Sequence, residues 1–198
     1  DVLELSGERL LFCVGDAGSN SLAAVLLAAR VKMAVSLLTE ESDSPKFILD
    51  RLHELLLGMR IKRRHMSLLV GVAYSDGRIV LVNAGHCWPL IGTKTGLSWI
   101  EDRGLPLGTR MRQTRNVVEL RLAPDESLVC YTNGWIRRFD PELCGQGFDR
   151  WRQELETGLR QDPATLPHHL QAVAARLPLP PDGEQGRLLM LVQREKTA

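Results

Sequence analysis

The sequence has few of the features that mark nucleic-acid-binding, membrane-spanning or disordered proteins. Its 25 basic and 24 acidic side chains leave a net charge of +1, whereas nucleic-acid binders concentrate Lys and Arg to neutralise phosphates. No uninterrupted apolar run reaches the roughly 18 residues that a membrane span needs. A hydrophobic content of 44% is too high for a disordered chain. We therefore predict a folded protein that binds neither nucleic acid nor a membrane.

The cysteines are too few and too scattered for a disulfide framework or a structural zinc site. Cys13, Cys87, Cys130 and Cys144 form no Cys-x-x-Cys pair, and the first and third of them fall within apolar, strand-like runs. Unpaired cysteines are typical of a reducing compartment. The N-terminal residues also lack the basic start of a signal peptide. The sequence thus predicts a cytoplasmic protein.

The elements that are present predict an α+β fold. Residues 1–198 fit a single domain by length, and the chain contains no internal repeat or long linker. Predicted helices cover residues 22–38, 148–159 and 164–177, and another begins at Ser44-Pro45. Predicted strands cover residues 10–14, 66–74, 78–83, 89–91, 97–100, 117–122, 127–131 and 187–193. This order lacks regular β-α-β alternation, so we expect an antiparallel sheet covered by helices.

Two expectations concern particular elements. The helix over residues 22–38 is apolar on most of its surface, so we expect it to be largely buried. Asp76-Gly77 lies between two strand-like runs and predicts a β-hairpin. Both helices that follow the first strand, near Leu22 and Pro45, are expected to pack on one face of the sheet.

Several predicted strands end in polar residues that could carry chemistry. Asp16 follows the first strand, where a carboxylate either holds a hard divalent cation or serves as a turn or cap residue. Asn133 follows a later strand at what the Asn-Gly pair predicts to be a tight turn. Glu184 precedes the last strand and is either a ligand or a surface acid. His86 is either a base or ligand, or it fixes its loop by hydrogen bonds to the backbone.

Two surface features also have alternative interpretations. A basic cluster is either a solvated helix end or a patch for an acidic partner; its members are Arg60, Lys62, Arg63, Arg64 and His65. Trp88 either packs against the protein or serves as an exposed anchor of an interface.

Taken in order, these strand ends resemble a known family. The chain is similar to the bacterial SpoIIE/RsbU-like branch of the metal-dependent serine/threonine phosphatases, the protein phosphatase 2C or PPM superfamily. Four family motifs have counterparts here: Gly-Asp before an Ala/Leu-rich helix at Gly15-Asp16, Asn-Ala-Gly-His at residues 83–86, Gly-x-Pro-Leu-Gly at 104–108, and Tyr-Thr-Asp-Gly at 131–134. The resemblance covers essentially the whole chain. It implies an antiparallel β-sandwich flanked by helices in α-β-β-α layers, and we expect the family's first strands to be missing ahead of Asp1.

The departures from the family pattern fall on its metal site. In active members, carboxylates at the Gly-Asp, Thr-Asp-Gly and final Asp-Asp positions hold two Mn²⁺ or Mg²⁺ ions, which activate the attacking water. Here Asp16 keeps the first position, Asn133 replaces the second carboxylate, and Glu184-Gln185 stands at the third. Hard-cation affinity depends on the charge and number of ligands. The resemblance therefore implies a weakened metal site and no bound cofactor.

The resemblance leaves two main functions open. The first is a pseudophosphatase that binds protein as the output module of a response regulator in bacterial stress signalling, with a sigma factor or an anti-sigma antagonist as partner. The second is an active Mn²⁺- or Mg²⁺-dependent serine/threonine phosphatase acting on an anti-sigma antagonist, with Asp16 and Glu184 as ligands and Asn133 as a neutral oxygen ligand. A scaffold role outside signalling is a third possibility. We expect the pseudophosphatase, and we therefore assign no catalytic residue.

Overall fold

Two antiparallel sheets stacked face to face occupy the centre of the structure. The computed structural model describes residues 1–59, 65–93, 95–102, 104–111, 114–140, 145–179 and 186–194. The first sheet has the order β1-β2-β3-β4-β7, with β1 (Val2–Leu5), β2 (Arg9–Asp16), β3 (Ser67–Tyr74), β4 (Arg78–Ala84) and β7 (Val118–Arg121). The second has the order β6-β5-β8-β9, with β5 (Leu90–Gly92), β6 (Leu97–Trp99), β8 (Ser127–Tyr131) and β9 (Leu189–Gln193).

Helices cover the outer face of each sheet. They are α1 (Leu22–Glu41), α2 (Pro45–Gly58), α3 (Asn133–Arg138), α4 (Gly147–Gln161) and α5 (Leu166–Ala175), with a short 3₁₀ turn at Pro163–Thr165. Serine caps begin the first two: the Ser21 hydroxyl accepts from the Ala24 N–H at 3.3 Å, and the Ser44 hydroxyl accepts from the Phe47 N–H at 3.4 Å. The Ser44-Pro45 start of α2 is therefore confirmed.

Alternating side chains divide the core into three layers. In β2, Leu11 and Cys13 pack with α1 and α2, while Phe12 and Val14 pack between the sheets. In β8, alternate residues pack between the sheets or against α3, α4 and α5 around Trp151. The layer order is thus α-β-β-α, which confirms the α+β sandwich and the packing of the first two helices on one face.

The prediction that α1 is largely buried is wrong. One side of the helix is buried, through Ala24, Leu27, Val31, Val35 and Leu38. On its other side Leu22 is 74% exposed and Met33 is 67% exposed. Because α1 lies in an outer layer, it has protein on one side only. Among the described residues, α1 is also the helix that is long and apolar enough to cross a membrane by length and composition alone, a test that core helices also pass.

The predicted tight turn at Asn133 is also wrong, because α3 begins at this residue. Thr132 has extended backbone angles and is the last non-helical residue before the helix, and its side chain makes no capping hydrogen bond. Trp135 and Phe139 lie four residues apart and both pack in the cluster under the second sheet, with ring centroids 6.5 Å apart. Burial of these two rings favours a helical turn over the local preference of Asn-Gly.

The Asp76-Gly77 hairpin is confirmed. Strands β3 and β4 pair with Ala73 opposite Ile79, and Gly77 has a φ of 88°, which glycine adopts without strain. Cys13, Cys87 and Cys130 are free thiols, and Cys144 lies outside the described residues.

The packing between the sheets predicts a difference between two glycine substitutions. A Cβ at Gly71 would lie 2.8 Å from Cε1 of Phe12, a ring that is 2% exposed and enclosed by both sheets. We expect Gly71→Ala to lower the free energy of unfolding by about 1–3 kcal/mol through overpacking. Urea denaturation monitored by circular dichroism measures the change.

Gly58 provides the matched control. It is the last residue of α2, and a Cβ there would meet no atom within 4 Å. Gly58→Ala should leave the stability unchanged or raise it by up to about 1 kcal/mol. Equal losses in the two variants would contradict the assigned contact between Gly71 and Phe12.

Candidate functional site

A cleft of about 490 Å³ lies where strands of both sheets end. Asp16 lines it from the end of β2, Asn133 from the start of α3, and Arg187 from the segment before β9. Asp16 and Asn133 also line an adjoining cleft of about 360 Å³, together with Ser67 and His86. The structure therefore brings Asp16 and Asn133 to one place, as the resemblance implies. Glu184 and Gln185 lie outside the described residues.

Asp16 is held in a tight turn that begins the loop before α1. Its Oδ1 accepts a hydrogen bond from the Gly18 N–H at 2.7 Å, and Gly18 has a φ of 73°. At Gly15 a Cβ would lie 2.9 Å from the Ser67 carbonyl oxygen, so this position requires the close approach that glycine permits. Asp16 thus acts as a turn residue, one of the two interpretations from the sequence. Its half-buried carboxylate also lines both clefts.

Thr132 ties the segment before β9 to the start of α3. Its hydroxyl oxygen accepts from the Leu188 N–H at 2.9 Å and donates to the Gly186 carbonyl at 3.1 Å. Its own N–H donates to the Leu188 carbonyl at 3.1 Å. Because these bonds fix residues 186–188 beside α3, Thr132 determines which side chains face the cleft. The sequence analysis missed Thr132 because its side-chain bonds are to residues 54 and 56 positions away, which no local pattern reveals.

Two arginines also line the larger cleft. Arg137 lies in the last turn of α3, and the guanidinium carbon of Arg187 lies 5.3 Å from the centre of the Trp135 ring. Among the described lining residues the charged side chains are Asp16, Arg137 and Arg187, which is two positive charges against one negative. The sequence analysis missed both arginines because it searched the strand ends for acids.

His86 is a buried residue that fixes its loop. Its N–H donates to Oδ1 of Asn83 at 2.7 Å, and its carbonyl accepts from Nδ2 of Asn83 at 3.1 Å. Its Nδ1 lies 3.0 Å from the Ser67 hydroxyl oxygen. Loss of hydration by burial lowers the pKa of His86 to about 4, against an opposing effect of Asp16. The imidazole is therefore neutral at pH 7, and the structure agrees with the loop-fixing interpretation.

Cys87 is the neighbouring thiol, and its environment opposes ionisation. Burial raises the pKa of Cys87 to about 11, and the negative charge of Asp16 acts in the same direction. A thiol that stays protonated at neutral pH is a poor nucleophile and a poor metal ligand. At neutral pH, therefore, neither the His86 imidazole nor the Cys87 thiol is charged.

The donor set for a metal ion is small in the part of the chain that the structure describes. There, no three His, Cys, Asp or Glu side chains come together in a group that could hold a metal ion. Asp16 contributes one carboxylate and Asn133 a neutral amide oxygen. A further acidic ligand would come from Glu184, outside the described residues.

Trp88 and the basic cluster are the two surface features that the sequence analysis left open. Trp88 is half-buried and its indole N–H donates to the Asp102 carbonyl at 2.7 Å, which ties two loops together. His65 is exposed and lines the smaller cleft. The rest of the predicted basic cluster, residues 60–64, lies outside the described residues.

The low pKa of His86 predicts how stability depends on pH. The unfolded imidazole has a pKa of 6.5 and the folded one about 4, so between these values the unfolded state binds more protons. Stability should therefore fall as the pH drops from 6.5 to 4, with up to about 3 kcal/mol of this loss due to His86. We expect His86→Gln to flatten this part of the profile in urea denaturation at a series of pH values. Measurements above pH 7 are the internal control, because there the His86 imidazole is neutral in both the folded and the unfolded state. Parallel stability profiles for the wild type and His86→Gln over the whole pH range would contradict the lowered pKa of His86.

Comparisons with known proteins agree with the family resemblance and with the fold. The chain matches the family model described as Stage II sporulation protein E (SpoIIE) over residues 6–185. A search of curated proteins gives no match.

Three solved structures are similar to the whole chain. The SiaA-PP2C domain of Pseudomonas aeruginosa has a TM-score of 0.81 at 16% identity, with 99% of this chain and 78% of that chain covered. The RsbU and RsbW domains of Rv1364c from Mycobacterium tuberculosis have a TM-score of 0.73 at 20% identity, with 96% and 52% covered. The PP2C phosphatase domain with a regulatory fragment of SpoIIE from Bacillus subtilis has a TM-score of 0.77 at 14% identity, with 96% and 56% covered.

The present chain thus spans about half the length of the last two of these structures. At these identities the structures establish the fold, which is PP2C-like, and the family model establishes the membership. With residues 6–185 matched, this chain belongs to the SpoIIE family.

Proposed function

We propose that this SpoIIE-family chain is a pseudophosphatase, a phosphatase-like domain that acts by binding a protein and not by metal-dependent hydrolysis. One observation supports this above the others. In the cleft where the family resemblance expects acidic metal ligands, Asn133 offers a neutral amide in place of a carboxylate. Asp16 is the acidic side chain among the described lining residues.

The electrostatics of such a cleft oppose two divalent ions. A Mn²⁺ or Mg²⁺ site gains affinity from negatively charged oxygen ligands, and each ligand that becomes neutral removes part of that gain. The described donors therefore do not fit a pair of metal ions. Asp16, Asn133 and Glu184 are proposed as what remains of the family's site for two metal ions.

The proposed partner is a protein. The similar Rv1364c structure contains RsbU and RsbW domains in one crystal structure, and the similar SpoIIE structure is described as a cell fate determinant. By this analogy we place the present domain, residues 1–198, as the output module of a cytoplasmic response regulator in stress signalling. Its partner is then a sigma factor or an anti-sigma antagonist.

An active phosphatase is the second candidate, and one observation favours it. Asp16 and Asn133 line the same two clefts, so two of the three expected ligand positions are in place. With Glu184 as a third ligand, such a site would hold a single Mn²⁺ or Mg²⁺ ion weakly. The reaction would be hydrolysis of a phosphoserine or phosphothreonine on an anti-sigma antagonist.

Metal-dependent melting distinguishes these two functions. We expect no change in the melting temperature of the wild type when Mn²⁺ is added at tens of micromolar, because the acidic set is incomplete. Asn133→Asp should give a small rise with Mn²⁺ through binding linkage. Adding Glu184→Asp and Gln185→Asp should give a rise larger than the sum of the separate effects, because metal ligands act as a unit.

The control adds the same charge elsewhere. Gln153 is exposed on α4, outside both clefts, and Gln153→Glu should not change the response to Mn²⁺. An equal rise in the wild type and in Asn133→Asp would show that Asn133 does not weaken the site, and micromolar binding of two ions by the wild type would exclude the pseudophosphatase.

A further inference from the structure

We infer that His53 is a pH-sensitive latch, whose neutral imidazole ties helix α2 to the loop of residues 104–109 and whose protonation releases this loop. The loop contributes to the wall of the smaller cleft, so its release changes that cleft from the side of α2. The inference does not depend on the proposed function, because Asp16 and Asn133 line this cleft in a pseudophosphatase and in a phosphatase alike.

The loop is packed tightly against the neighbouring ends of β3 and β4. The Leu107 N–H donates to the Met66 carbonyl at 2.8 Å, and the Met66 N–H donates to the Leu107 carbonyl at 3.3 Å. A Cβ at Gly85 would lie 2.6 Å from the backbone nitrogen of Pro106, so the loop and the end of β4 are in close contact. Met66, Gly85 and Pro106 all line the smaller cleft. The position of the loop therefore sets one wall of the cleft.

His53 ties this loop to α2 through one ring nitrogen. Its Nδ1 accepts a hydrogen bond from the Gly108 N–H at 3.2 Å. A ring nitrogen that accepts a hydrogen bond carries no proton, so the imidazole is neutral with its proton on Nε2. Protonation of the imidazole places a hydrogen on Nδ1 as well. Two donors then face each other, and the hydrogen bond to Gly108 is lost.

Other contacts on both sides of Gly108 do not involve the imidazole. Arg115 donates from Nη1 to Oδ1 of Asp50 at 2.6 Å, and this arginine side chain is only 3% exposed. The pair joins the segment after the loop to α2. Leu107, before Gly108, is fully buried in the core that α1 and α2 cover. Protonation of His53 therefore loosens the loop locally and leaves the chain on either side attached to the protein.

The surroundings of His53 favour its neutral form. Loss of hydration by burial lowers the pKa of His53, and the positive charge of Arg115 acts in the same direction. The negative charges of Asp50 and Glu54, on the same helix, oppose this shift only in part. The pKa of folded His53 thus lies below its ordinary value of 6.5. Because the unfastened imidazole binds a proton more readily, the latch is closed above pH 6.5 and weakens as the pH falls below it.

Amide hydrogen exchange measured by NMR on the 198-residue chain between pH 7.5 and pH 5 tests the inference. After correction for the intrinsic exchange rate, the Gly108 N–H should lose at least about threefold of its protection over this range. The ¹⁵N chemical shift of His53 Nδ1 should be that of an unprotonated nitrogen at pH 7.5. The amide resonance of Gly85, which reports the contact with Pro106, should shift with the same midpoint as the imidazole of His53.

Two substitutions of His53 separate its titration from its contact. An asparagine side-chain oxygen can accept from the Gly108 N–H and does not titrate, so His53→Asn should protect Gly108 equally at both pH values. His53→Ala lacks the acceptor, so Gly108 should already be at least about threefold less protected at pH 7.5 and should not change further at pH 5. His168→Asn is the matched control, because His168 is an exposed residue of α5, and this variant should respond to pH as the wild type does.

Several outcomes would overturn the inference. One is a Gly108 protection that does not depend on pH in the wild type, and another is the same loss of protection in His53→Asn as in the wild type. A Gly85 resonance that stays unchanged while Gly108 loses protection would overturn the effect of the latch on the cleft. If the variants fail to fold, the wild type still decides the question, because a protonated Nδ1 of His53 at pH 7.5 would exclude the latch.

Discussion

Burial of both faces of the central strands is the constraint on which the rest of the structure depends. Neighbouring residues of β2 serve different layers, with Leu11 packed under the helices and Phe12 between the sheets. All five residues of β8 are buried in the same way. A strand enclosed on both sides cannot accept an unpaired polar side chain along its length. Polar groups are therefore confined to the strand ends, which is where Asp16 and Thr132 lie.

The same constraint explains how much of the protein could be predicted from its sequence. Apolar runs with polar ends identify strands locally, so strands β2 to β9 and the Asp76-Gly77 hairpin were predictable. The short β1, whose residues are exposed or half-buried, was not predicted. The shared position of Asp16 and Asn133 followed from the family resemblance. The helix α3 was not, because it depends on the burial of Trp135 and Phe139 against a sheet formed by distant residues. The exposed side of α1 was missed for a similar reason, since composition does not reveal how many sides of a helix are covered.

The charge state of one group at the site, and the positions of two others, could not be predicted from the sequence. His86 looks like a titratable residue in the sequence, but burial keeps it neutral and makes it a support for its loop. Arg137 and Arg187 look like ordinary surface cations, but the pairing of β8 with β9 brings them into one cleft. The set of charged groups in the cleft thus depends on which strand ends the fold brings together.

The hydrogen bonds of Thr132 make the shape of the cleft depend on strand β9. In the second sheet, as far as the structure describes it, β9 is one of two edge strands; it pairs with β8 and is half-buried along most of its length. Edge strands with little burial separate from a sheet more readily than its centre does. Detachment of β9 would break the bonds between Leu188 and Thr132 and would take Arg187 out of the cleft. The shape of the cleft therefore depends on the pairing of an edge strand, and a protein that added a strand to this edge would act on the cleft from outside it.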